Sequence, residues 1–88
     1  MQPRRMRLLR EKHGISFAEL SRHGGVSRQR LSEIELDTRP VSIHINRLVE
    51  TAFAGLITAR QRDLSALESD FQIYRNNLLD YADKEERL

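Results

Sequence analysis

Between residues 28 and 35 the chain sets Arg28, Gln29, Arg30, Ser32, Glu33 and Glu35 around only two apolar side chains, Leu31 and Ile34. These polar groups are hydrogen-bonding forks. An arginine can hold guanine O6 and N7 with two hydrogen bonds, a glutamine can do the same for adenine, and a glutamate can accept from a cytosine amine. Arg28 and Gln29, at the start of the segment, are therefore candidate base readers, with Ser32 and Glu33 one turn later. Arg28 could instead touch phosphate alone, and Glu33 could be solvated or salt-bridged. Ser16, the backbone at Phe17, Ser27, Arg30 and Arg39 are candidate phosphate contacts, because helix N-termini offer amide donors and partial positive charge to an anion. Arg4, Arg5 and Arg7 could add a basic flank, or be exposed with no fixed contact.

Other chemistries find no support in the residue types. The chain has no cysteine, which excludes disulfides and thiolate metal sites. No two of His13, His23 and His44 stand at i, i+4 spacing and no cysteine assists, so no metal is expected. No glycine-rich phosphate loop and no nucleophile with a recognisable base is present. Asp80, Asp83, Glu85 and Glu86 read as a solvated helix end rather than a catalytic carboxylate pair. No cofactor and no enzymatic activity are expected.

The elements that must carry these residues are all helical. Pro3 can open a first helix running to about His13, with Met6 and Leu9 as its apolar stripe and Gly14 as its stop. Ser16 and Glu19 form a capping box, with Ile15 and Leu20 as a hydrophobic staple, so a second helix spans about Phe17 to His23. Gly24-Gly25 is expected to end it in a left-handed turn, Gly25 taking a positive φ. Ser27 caps a third helix over about Arg28 to Leu36, again with a staple, Val26 to Leu31. Two short capped helices across a glycine-containing turn are a helix-turn-helix signature. Leu20 and Ser21 fall at the crossing, Val26, Leu31 and Ile34 beneath it. The polar outer face of the third helix suits a major groove.

After the loop Asp37-Thr38-Arg39-Pro40, helical periodicity resumes at Ser42 through Ile45, Leu48, Val49, Ala52, Phe53 and Leu56. Leu64, Leu67, Phe71, Tyr74, Leu78 and Tyr81 then step by three and four, a seam of about two and a half heptads. The expected organisation is a DNA-binding domain over 1–56 and a helical dimerisation segment over 57–88. A lone helix this apolar on one side would expose a patch that monomers seldom tolerate. The seam could close between subunits as a coiled coil or helical hairpin, or fold back on the fourth helix as internal core.

The run Leu9-Arg10-Glu11-Lys12-His13-Gly14-Ile15-Ser16, then Ala18-Glu19-Leu20-Ser21, Gly25-Val26-Ser27-Arg28 and Leu31-Ser32-Glu33-Ile34-Glu35, resembles the Cro/C1-type (XRE) family of helix-turn-helix repressors over about residues 4–56. The resemblance implies a lambda-repressor-like fold and a buried ion pair between Arg10 and Glu35. It also implies a transcriptional repressor that binds double-stranded DNA as a homodimer on a palindromic operator. An antitoxin that binds DNA and also grips a toxin is the alternative. The chain departs from the family pattern at Phe17, where glutamine is common, and at Leu36-Asp37, where Asn-Gly is favoured. Both positions bear on phosphate contact, and Arg39 could compensate.

Charge agrees with a polyanionic partner for one end. Residues 1–47 hold ten Lys/Arg against five Asp/Glu, and residues 48–88 hold five against eight. The arginines near the N-terminus precede no apolar run, so no signal peptide or membrane association is expected, and a cytoplasmic location follows.

Overall fold

The computed structural model describes residues 2–83 and 85. It holds four helices, α1 (Arg5–Lys12), α2 (Phe17–Arg22), α3 (Arg28–Glu35) and α4 (Ile43–Tyr74). The described residues form no strand. No helix among them is long and apolar enough to cross a membrane. The chain divides into two compact units, Met1–Thr58 and Ala59–Leu88.

In the first unit, local signals set the helix boundaries. α1 starts two residues later than Pro3, because Arg4 stays in extended backbone as the N-cap (φ −70°, ψ 150°). It ends in a Schellman motif. The Gly14 N–H donates to Glu11 O at 3.3 Å and the Ile15 N–H to Arg10 O at 2.8 Å, with Gly14 at φ 60°. Ser16 caps α2 by accepting from the Glu19 N–H at 3.0 Å, and Ser27 caps α3 by accepting from the Arg30 N–H at 3.1 Å. Ser42 accepts from the Ile45 N–H at 3.2 Å and opens α4.

α3 ends in the same motif as α1, with an aspartate where glycine is usual. The Asp37 N–H donates to Ile34 O at 3.1 Å and the Thr38 N–H to Glu33 O at 3.0 Å, and Asp37 sits at φ 58°. A left-handed conformation costs a non-glycine residue roughly 1–2 kcal/mol, and aspartate is among the few types that adopt it.

The Gly24-Gly25 turn corrects the expectation. Neither glycine has positive φ, and α2 closes through His23 at φ −106°. Gly24 is needed for proximity instead. A Cβ there would lie 2.6 Å from Ala52 Cβ and 2.9 Å from Ala52 Cα. The reverse contact exists at Gly55, where a Cβ would meet His23 O at 2.9 Å. Glycines on both sides thus let the α2–α3 turn and α4 approach to backbone distance.

Ile15, Leu20, Val26, Leu31, Ala52 and Leu56 form the buried core, with Met6, Phe17, Leu48, Val49 and Phe53 packed against it. Each large aliphatic side chain fully withdrawn from water stabilises by about 1.5–3 kcal/mol. Beside this core an open apolar groove of about 720 Å³ runs between α1 and the first half of α4, lined by Leu8, Leu9, Val49, Phe53 and Ile57 among others.

In the second unit Leu64, Leu67 and Phe71 are exposed on α4 and Tyr74 is half-buried. The heptad seam is shorter than its spacing suggested, since the helix stops at Tyr74 and leaves Leu78 and Tyr81 outside it. Arg75-Asn76-Asn77 follows, and asparagine amides compete for backbone hydrogen bonds. The chain passes into turns, with the Asn77 N–H on Tyr74 O at 3.0 Å and the Asp80 N–H on Asn77 O at 3.2 Å. Leu78 and Ala82 come round to line a groove of about 310 Å³ with Leu67, Phe71 and Tyr74. Asp80 and Asp83 are therefore exposed beyond the helix rather than at its end, with Glu85 in a turn, while Glu86 lies outside the described residues.

Candidate nucleic-acid interface

The outer face of α3 follows from which of its side chains the core claims. Leu31 and Ile34 are buried, and so is Glu35, which leaves Arg28 and Gln29 exposed and Arg30, Ser32 and Glu33 half-buried. Arg28 makes no side-chain hydrogen bond or ion pair with the described residues. Its guanidinium is a charged fork with nothing to release before it meets a ligand. Gln29 is engaged, its Nε2 donating to Glu33 Oε1 at 3.2 Å.

Arg39 comes from the loop after α3 and pairs with Glu33, Nε to Oε2 at 2.5 Å. Together with Gly25, Ser27, Gln29, Arg30 and Glu33 it lines a polar cleft of about 340 Å³. Arg39 is thus held by a carboxylate rather than standing free for an anion. Ser27 and Ser16 are both exposed at helix starts. Each uses its hydroxyl oxygen as an acceptor for its own helix, so the hydroxyl proton stays available for an acceptor outside the protein.

Beneath this face lies the most buried charge pair among the described residues. Arg10 Nε donates to Glu35 Oε2 at 2.8 Å and Arg10 Nη2 to Glu35 Oε1 at 2.9 Å, a bidentate pairing. Arg10 Nη1 also donates to Ile15 O at 3.1 Å, and its guanidinium carbon sits 4.2 Å from the centroid of the Phe17 ring. The hydrogen bond to Glu35 is the main reason the Arg10 pKa is raised, so the charge persists at any ordinary pH. Phe17 uses its side chain as a lid on this pair and as part of the core periphery. Only its backbone is left to face an anion at the start of α2.

Arg4 was not distinguishable from its neighbours by sequence reasoning, yet it has a fixed place. Its Nε donates to Ile34 O at 2.8 Å and its Nη2 pairs with Asp37 Oδ1 at 2.6 Å. A cation on the last carbonyls of α3 is favourable to the helix dipole. The paired carboxylate belongs to the residue in the left-handed conformation. Arg7 is likewise engaged, with Glu11 at 2.9 Å, so only Arg5 of the three N-terminal arginines keeps the character of a free basic flank. The signal for Arg4 lay in Asp37, a residue type that tolerates a left-handed helix end and asks for a cation. Arg4 and Arg10 together tie the C-terminal end of α3 to α1 and its N-cap.

A helix-turn-helix family model matches residues 6–53, more than half of the chain, and covers α1, α2, α3 and the first part of α4. No curated protein matches the chain. No solved structure matches it either.

Proposed function

This chain belongs to the helix-turn-helix family, with an XRE-like domain over residues 6–53, and on that footing we propose that it binds duplex DNA sequence-specifically with α3 in the major groove. The observation that carries the reading is the two-sidedness of α3. Leu31, Ile34 and Glu35 hold it down, while Arg28 and Gln29 stand exposed at its N-terminal end. A reader of base edges must be rigid on one side and chemically open on the other. Ser16, the Phe17 backbone, Ser27 and Arg30 would flank it on phosphates, with Ser32 a further contact on bases.

The protein acts as a homodimer and as a transcriptional repressor. One such module reads only a few base pairs, whereas two-fold symmetry doubles the contacts and fixes the half-site spacing. The exposed apolar residues Leu64, Leu67 and Phe71 on α4, with half-buried Tyr74, support the homodimer. Selection of bound sites from random duplex DNA tests it. The expected outcome is an inverted repeat with half-sites roughly 34 Å apart or a multiple of that. Binding should weaken steeply as salt rises. Recovery of random sequence, or affinity indifferent to salt, would sink the proposal.

A further inference from the structure

We propose that Glu33 is a positioning residue, which sets the base that Gln29 reads and does not itself read a base. The proposal rests on the DNA-binding reading above. Both carboxylate oxygens of Glu33 are already taken, Oε1 by Gln29 Nε2 at 3.2 Å and Oε2 by Arg39 Nε at 2.5 Å. Each oxygen keeps a second lone pair, but the side chain is only 24% exposed and is held against these two partners, so Glu33 is placed to orient Gln29 rather than to reach a cytosine amine.

The consequence for Gln29 is directional. An ionised carboxylate only accepts hydrogen bonds, so the Gln29 amide must turn its NH2 toward Glu33 and its carbonyl oxygen away. Gln29 then offers a groove one acceptor, Oε1, and one remaining N–H. Adenine presents the complement, an N6 amine and the N7 acceptor. Guanine presents two acceptors, N7 and O6, and its O6 would confront the outward carbonyl. Glu33 therefore biases Gln29 toward adenine by fixing amide polarity before contact.

The backbone of the same residue secures the arrangement. Glu33 O accepts from the Thr38 N–H at 3.0 Å and from Thr38 Oγ1 at 3.2 Å, which holds the loop carrying Arg39 beside the Glu33 side chain. Arg39 in turn cancels a carboxylate that would otherwise repel phosphate, at the expense of its own charge. Glu33 thus withholds one cation from the backbone of the ligand while it orients the neighbouring reader.

Glu33→Gln in the full chain tests this in two measurements. The first uses the protein without DNA. The Gln29 side-chain amide and Arg39 Nε–H resonances should move in the variant, with the thermal midpoint and remaining spectrum unchanged. The second is site selection from random duplex DNA. An adenine preference erased by Gln29→Ala should relax about tenfold in Glu33→Gln, because the new amide no longer dictates which way Gln29 faces. The salt slope should steepen by about one counterion per protomer as Arg39 is released. Unmoved Gln29 and Arg39 resonances overturn the proposal without reference to DNA. So does an unaltered adenine preference, or loss of preference at a separate cytosine position, which would make Glu33 a direct reader. If the resonances move but the wild-type protein selects no sequence, the DNA-binding reading fails and carries the base role down with it.

Discussion

Replacing Glu35 by alanine removes the acceptor for two charge-assisted hydrogen bonds and strands the Arg10 guanidinium under the end of α3. The size of the loss depends on solvent access. The Glu35 side chain is 5% exposed and that of Arg10 17%, so water can do little to replace the lost partner. Arg10 would keep Ile15 O, the face of Phe17 and the weaker attraction of Glu11. One-sided removal from a buried pair costs about 3–5 kcal/mol, against less than about 1 kcal/mol for an exposed one. A chain of this length is stable by roughly 4–13 kcal/mol in all, so the variant should lose a large share of its folded population. Thermal unfolding followed by circular dichroism should show the midpoint falling by at least about 12 °C. The decisive comparison is with both partners made apolar, Arg10→Met with Glu35→Leu. Most of the cost of the single change is an unpaired buried charge, so the double variant should be no less stable than the milder single one. A cost below about 1 kcal/mol for Glu35→Ala would refute the reasoning, and so would a double variant that simply sums the two losses.

Two further outcomes are open to the same kind of measurement. Gly24→Ala should destabilise by about 1–3 kcal/mol in urea unfolding, because the added methyl meets Ala52 Cβ and Cα, the latter main-chain and unable to rotate aside; a neutral result would mean that the turn and α4 part freely. Leu67→Glu with Phe71→Glu should convert a dimer to a monomer in sedimentation equilibrium while leaving the first unit folded, and a wild-type chain already monomeric at micromolar concentration would remove the dimer from the proposal.

The helices of the first unit were legible because their punctuation is local. Ser16, Ser27 and Gly14 act on backbone groups within a few positions of themselves, and α2 and α3 begin where those residues place them. Features set by distant partners were not legible. Asp37 in the left-handed region pairs with Arg4, 33 positions earlier; its residue type pointed to a cation, but nothing in the spacing said which one. The glycines before α3 were visible as a turn, but the reason for Gly24 lies in Ala52 on another helix. The overlong reading of α4 had a different origin. Apolar residues at steps of three and four continue past Tyr74, while the helix yields to the poor propensity of Asn76 and Asn77. On the outer face of α3, the polar identity of Gln29, Glu33 and Arg39 was plain in the sequence, but not that Gln29 hydrogen-bonds to Glu33 and Arg39 forms an ion pair with it.

The reciprocal notches at Gly24 and Gly55 divide labour within the first unit. They lock the corner before α3 onto α4 through main-chain proximity, whereas Arg28, Gln29, Ser32 and Glu33 play no part in that lock. The chemistry those four positions present can therefore change while the seat stays unaltered. A lineage starting from this chain could acquire a different outer face on α3 without re-solving its folding problem, provided both glycines were kept.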